Sequence, residues 1–178
     1  MSDFCIQVSN PNFQPSAEEV EYLYQAINTI FPEDTETAYL LWNAIPVIID
    51  YKYDLYVLIE DIPRLLDALL SFDRGSHRVG WGSSSFNAVW NLEWADGCVK
   101  IASQWDSVSG AYQTLLNSRS KIEMEKDAFL WEWKALLRKI IEAIDKSGIK
   151  IANQAELDSL RRIEAAIAKQ GYLYATSS

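Results

Sequence analysis

The sequence predicts an α+β fold, a single domain in which a mainly antiparallel sheet is packed by helices. Three features predict it. Residues 86 to 105 alternate apolar and polar side chains on either side of an Asp96-Gly97 dipeptide, the pattern of a β-hairpin. Two other stretches, near residues 16–31 and 120–148, set apolar residues three and four apart behind a Ser-x-x-Glu pair, as in a capped helix. Finally, 178 residues, 49% of them hydrophobic, suffice for one core, with no repeat, low-complexity tract or linker to divide it.

From the N-terminus, a short extended start leads to Ser16 as N-cap with Glu19 three residues on. Val20, Leu23, Tyr24, Ile27, Ile30 and Phe31 then share one helical face. Tyr39 to Trp42 reads as a strand, and its neighbour is expected in "IPVIIDYKYDL". There Val47, Ile49, Tyr51, Tyr53 and Leu55 alternate with Ile48, Asp50, Lys52 and Asp54, which sends Asp50 and Asp54 to the opposite side. Asp54 is also placed to cap a helical segment that resumes after Asp61, with Pro63 in its first turn and Ile62, Leu65, Leu66 and Leu69 as its apolar stripe. "VGWG", residues 79 to 82, is expected as a short edge strand with Trp81 either packed or offered to a partner.

The hairpin register follows from its turn. A two-residue type I′ loop at Asp96-Gly97 opposes Ala95 to Cys98, Trp94 to Val99, Leu92 to Ile101 and Trp90 to Ser103. On the other face Glu93 meets Lys100 and Asn91 meets Ala102, so apolar faces apolar and acid faces base. A one-residue slip would set Glu93 against Val99 or Ile101.

Helices dominate the second half. "AYQTLLNS" is a short one, and Ser120 with Glu123 is expected to cap a long helix that stops at Gly148. Phe129, Trp133, Leu136, Leu137, Ile140 and Ile144 form its main stripe, while Met124, Trp131 and Ala135 lie nearly opposite. Two stripes imply a helix sandwiched between the sheet and the last helix, in which Leu157, Leu160, Ile163 and Ile167 turn inward and Gly171 is the stop. Trp131 has an alternative role as a partner anchor.

The stretch richest in chemistry is "HRVGWGSSSF", residues 77 to 86, with the only histidine, a Gly-x-Gly and three serines. A phosphate loop needs a helix N-terminus behind its glycines, whereas these serines lead into a strand. A nucleophile among Ser83, Ser84 and Ser85 with His77 as base needs a strand-to-helix elbow, and His77 is expected on a polar turn. A small hydrolase built on these residues stays as the alternative. Glu93, Asp96 and Asp106 lack the burial that would tune a general acid or base, and the acids do not follow calcium-loop spacing. One histidine and two cysteines, Cys5 and Cys98, are too few for a local zinc site or a disulfide framework. Both thiols are expected buried and reduced on strands, and no metal or cofactor is expected.

Charge is unevenly spread. Residues 1 to 61 hold eleven acids and one base, Lys52, for a net of −10, and the remaining residues hold fourteen acids and fifteen bases, for a net of +1. The acidic third repels nucleic acid and anionic membrane and attracts a basic partner. The plainer role of such a surface is solubility. No apolar run reaches a membrane span and "MSDFCIQVSN" lacks the order of a secretory signal, so the expected location is the cytoplasm.

Several motifs occur in a suggestive order. An acidic N-terminal helix precedes "Y-x-x-D-L" (Tyr51 to Leu55), the "W-x-x-E-W-A-D-G" hairpin (Trp90 to Gly97), "I-x-S-x-W" (Ile101 to Trp105) and "F-L-W-E-W-K-A-L-L" (Phe129 to Leu137). Over residues 38 to 148 this order resembles small bacterial immunity proteins of polymorphic and contact-dependent growth-inhibition toxin systems. The resemblance implies a cytoplasmic, non-enzymatic inhibitor that binds a cognate toxin domain, often a basic nuclease, and blocks its active site or a nearby surface. The residues expected to meet such a toxin are Glu18, Glu19, Glu21, Glu33, Asp34, Glu36, Asp50 and Asp54, with Trp81. An adaptor or small-ligand binding module is the remaining alternative.

Overall fold

The computed structural model describes residues 3–167. In chain order the strands and helices are β1 (Phe4–Gln7), β2 (Glu19–Val20), α1 (Leu23–Ile30), β3 (Ala38–Trp42), β4 (Ile45–Ile49), α2 (Leu55–Leu58), α3 (Asp61–Ser71) and β5 (Gly75–Gly82). They continue as β6 (Phe86–Ala95), β7 (Cys98–Val108), α4 (Gln113–Ser118), β8 (Lys121–Glu125), α5 (Lys126–Ser147), β9 (Lys150–Ile151) and α6 (Gln154–Ala166). The α+β class is as expected, with the strands in two antiparallel sheets, ordered β1-β3-β4 and β5-β6-β7-β8, plus a two-stranded parallel pair, β2-β9.

The β6–β7 hairpin has the expected register, with Trp94 opposite Val99, Leu92 opposite Ile101 and Glu93 opposite Lys100. Asp96 and Gly97 have φ of 54° and 77°, the pair of positive values a type I′ turn demands. Lys100 nevertheless turns its amine to Glu123 on β8, at 3.4 Å, because β8 flanks the same face from the other side.

Three boundaries differ from expectation, the first two because strand pairing outcompetes a local cap and the third because a local turn ends a strand. Glu19 and Val20 pair with Lys150 and Ile151, so α1 opens only at Leu23. Its first N–H groups are met by Gln25 Oε1, which accepts from Glu21 and Tyr22, and by Glu156 Oε2, which accepts from Leu23. The Ser16 hydroxyl accepts only the Glu18 N–H. Likewise residues 121 to 125 form β8 on β7, with the Ser120 carbonyl accepting the Ser103 N–H, and α5 starts at Lys126. The third is β4, which ends at Ile49, so the predicted alternation to Leu55 breaks into a turn and the short α2. Gly148, at φ 79°, closes α5 as expected. Gly171 lies outside the described residues.

The two antiparallel sheets meet α5 through aromatic rings. Phe4 on β1 touches Phe129 and Trp133 of α5 at centroid distances of 4.8 and 6.2 Å, and Trp42 on β3 meets Trp90 on β6 at 5.0 Å. Trp81 lies against Trp133 at 6.1 Å. Buried aromatic rings of this size dominate core energetics, which is where most of the tryptophans went. Behind α5, Leu157, Leu160, Ile163 and Ile167 face inward as expected, while Trp131 is half-buried against the core and Ala135 is exposed.

Candidate functional site

Six of the eleven acids of the first third settle beyond the two ends of α1, a rise of about 12 Å for its eight residues. Glu18, Glu19 and Glu21 are exposed at its N-terminal end, beside β2. Glu33, Asp34 and Glu36 are exposed in the connection that follows its C-terminal end, with Glu36 accepting the Asn10 N–H at 3.1 Å. The structure thus makes two acidic groups instead of one continuous face.

Lys52, the sole base of this region, is committed elsewhere. Its Nζ donates to the carbonyls of Asn28 and Phe31, at 2.9 and 3.2 Å, and satisfies the exposed C-terminal carbonyls of α1. Among the described residues, all nine ion pairs join side chains between positions 61 and 164, and none of the acids from Asp3 to Glu60 takes part in one. The charge asymmetry of the sequence is therefore an asymmetry of pairing as well.

Asp50 and Asp54 close the turn after β4 reciprocally. Asp50 Oδ1 accepts the N–H groups of Lys52 and Tyr53 at 2.8 and 2.7 Å, and Asp54 Oδ2 accepts the Asp50 N–H at 2.8 Å. Asp54 Oδ1 also takes the hydroxyls of Ser83 and Ser85. Asp50 is half-buried, but Asp54 is 0% exposed, which corrects its expected place at a docking surface. Trp81 is corrected likewise: at 1% exposure it belongs to the core.

The structure separates the histidine from the serines. His77 lies within β5, opposite Leu92, and not on a turn. Extended strand from 77 to 82 carries Ser83 roughly 20 Å away. The serines meet a carboxylate and no imidazole.

What joins the serines is a concavity of about 430 Å³ walled by Tyr53, Tyr56, Val57, Gly82 and Ser83–Ser85. Tyr53, expected inward on a strand, is 46% exposed because β4 ends before it. Its phenol is raised above the ordinary value, first by Glu33 as hydrogen-bond acceptor, then by partial burial and the charges of Glu33 and Asp50. Tyr53 thus links the acids after α1 to the serine-lined pocket. Tyr56, Val57 and Gly82 carried no sequence signal of this role; the Asp-x-x-x-Asp spacing of residues 50 and 54 ahead of a serine triplet was the only hint.

A second concavity, about 500 Å³, opens at the other end of α1 against Tyr22, Tyr24, Pro63, Arg64 and Glu156. Tyr22 and Tyr24 stack at 5.8 Å and 10°, and the Tyr22 phenol is raised chiefly by its hydrogen bond to Glu21. The thiols are half-buried on strands, less enclosed than expected. Burial, then the hydrogen bond and charge of Glu132, pushes the Cys5 thiol up to about 11.

No helix among the described residues is long and apolar enough to cross a membrane. Comparison with protein-family models, with curated proteins and with solved structures finds no match to this chain.

Proposed function

We propose that this protein is a cytoplasmic immunity protein that neutralises a cognate bacterial toxin domain by binding it, without catalysis of its own. The toxin is a basic protein, such as a nuclease domain, and it docks at the C-terminal end of α1. The observation that carries the proposal is the pairing asymmetry: Glu33, Asp34 and Glu36 are exposed with no ion pair, and the one nearby base is held by helix carbonyls. Unpaired surface acids repel one another and cost stability, whereas an incoming basic surface gains from them in rate and affinity. The exposed tyrosine in their midst, Tyr53, supplies the aromatic contact that binding surfaces favour.

The test is neutralisation. The gene beside the one for this chain is sequenced, and the C-terminal domain of any large secreted protein it encodes is expressed in a bacterial host, alone and together with this chain. Growth arrest by the domain alone and growth restored by co-expression support the reading. Restoration that persists when Glu33, Asp34 and Glu36 are all reversed to lysine, or no restoration at all, contradicts it.

A further inference from the structure

Asp54 is a fully buried carboxylate, and among the described residues no Lys, Arg or His forms an ion pair with it. Such a group persists only when hydrogen bonds replace its water, and here the Ser83 and Ser85 hydroxyls and the Asp50 N–H do so. Those two serines are also wall residues of the 430 Å³ pocket. Because each hydroxyl proton is committed to Asp54, and buried Ser83 already accepts the Ser85 N–H at 3.4 Å, the remaining capacity toward the pocket is that of an acceptor, chiefly at the half-buried Ser85. The wall therefore presents lone pairs backed by a carboxylate, and it suits a ligand that brings donors and positive charge. The other wall is aromatic, lined by Tyr53, which is 46% exposed, and by Tyr56, and aromatic rings attract cations at their faces. Glu33, whose proximity raises the Tyr53 phenol, adds a second carboxylate near that rim.

We propose that this pocket is a guanidinium site, which receives an arginine side chain between Tyr53, Tyr56 and the Ser83–Ser85 wall above Asp54. Arginine suits it better than lysine because a planar group with several fixed donors can stack on a ring and meet several acceptors at once. The site rests on the toxin-binding reading only for the source of the arginine; a free guanidine compound has the same chemistry.

The probe is N-acetylarginine amide, compared with N-acetylcitrulline amide, which has the same shape without the charge. Binding is followed by the backbone amide signals of residues 82 to 85 in NMR. Saturable shifts with the arginine compound, at least tenfold weaker with citrulline, are expected. Gly82→Leu should fill the pocket without disturbing the backbone, since a Cβ there meets only Val57 Cγ1, at 3.9 Å. It should abolish the shifts with thermal unfolding unchanged. If it fails to fold, Tyr53→Leu, at an exposed ring, should weaken binding at least fivefold. Equal binding of citrulline, or no shift in residues 82 to 85, overturns the site and leaves the docking of a toxin on the acidic loop standing. Neutralisation lost with Gly82→Leu assigns the arginine to the toxin, and probe binding with neutralisation unchanged assigns the site to a free guanidine compound.

Discussion

The carboxylate of Asp54 accepts the hydroxyl of Ser85 at 2.6 Å across thirty-one positions of the chain, and so ties the turn after β4 to the start of the β6–β7 hairpin. Ser83 and the Asp50 N–H complete the arrangement. Asp54→Asn has one acceptor oxygen in place of two, so either the serines or the Asp50 N–H loses its partner. The expected loss of stability is about 1–3 kcal/mol in denaturant unfolding. Ser84, whose carbonyl accepts the Ser107 hydroxyl, uses no side-chain bond, so Ser84→Ala should be close to neutral. Equal effects from the two substitutions would mean that the buried carboxylate network is not what joins these segments.

The hairpin turn gives a cleaner backbone test. Gly97 has φ 77° and nothing within 4 Å of where a Cβ would stand, so Gly97→Val is opposed by conformation alone. A loss on the order of 1 kcal/mol or more is expected. Gly80, equally open but without positive φ, is the control, and Gly80→Val should not destabilise. Similar losses at both sites would remove the type I′ explanation.

Glu164 carries the acid sensitivity of the α5–α6 contact. Burial alone would raise its carboxyl, but hydrogen bonds from Arg138 and Lys134, with their charges, outweigh that and hold it below the ordinary value. A depressed folded-state value adds stability that is present above about pH 4.5 and is lost as pH falls through the folded value. Glu164→Gln should cost about 1–3 kcal/mol at pH 7, in part because it removes the negative charge facing the buried Lys134 amine while the carbonyls of residues 164 and 167 stay as its acceptors. The gap between wild type and variant should then narrow in acid unfolding curves below pH 4. A constant gap would place the contribution outside this carboxylate.

Cys5 provides the alkaline counterpart. With its thiol raised to about 11 in the fold against 9.0 for an ordinary thiol, the unfolded chain loses its proton first. The stability this group contributes is present below pH 9 and lost as pH rises toward 11. Cys5→Ser should therefore flatten the fall in melting temperature between pH 9 and 11. Rapid alkylation of Cys5 at pH 8 in the folded protein would contradict the raised value.

The parts of the fold that could be read ahead were those in which local pattern and tertiary need agree. The β6–β7 register was legible because Asp96-Gly97, the alternation and the Glu93–Lys100 pairing all point the same way. The starts of α1 and α5 were not, because Ser16-x-x-Glu19 and Ser120-x-x-Glu123 are sound local caps that lose to strand pairing with β9 and β7. Nothing near Leu23 announces that Glu156, far along the chain, supplies its cap. For the candidate site, the acidic excess was plain in composition, but its division between the two ends of α1 was not. Period two through Tyr51 and Tyr53 suggested a strand, while Asp50 and Asp54 form a side-chain closed turn that leaves Tyr53 outside and Asp54 inside.

The central claim, that the acids after α1 receive a basic toxin, is tested most directly by association kinetics. The rate constant for binding the cognate toxin domain is measured at low and high salt for the wild type and two triple charge reversals to lysine. One set is Glu33, Asp34 and Glu36; the control set is the exposed Asp73, Glu93 and Glu125, which form no ion pair among the described residues. The account predicts a fall of about tenfold or more at low salt for the first set, shrinking at high salt, with little change for the control. Equal slowing by both sets, or rates that ignore salt, would show that the loop acids only solvate the surface and that the toxin docks elsewhere.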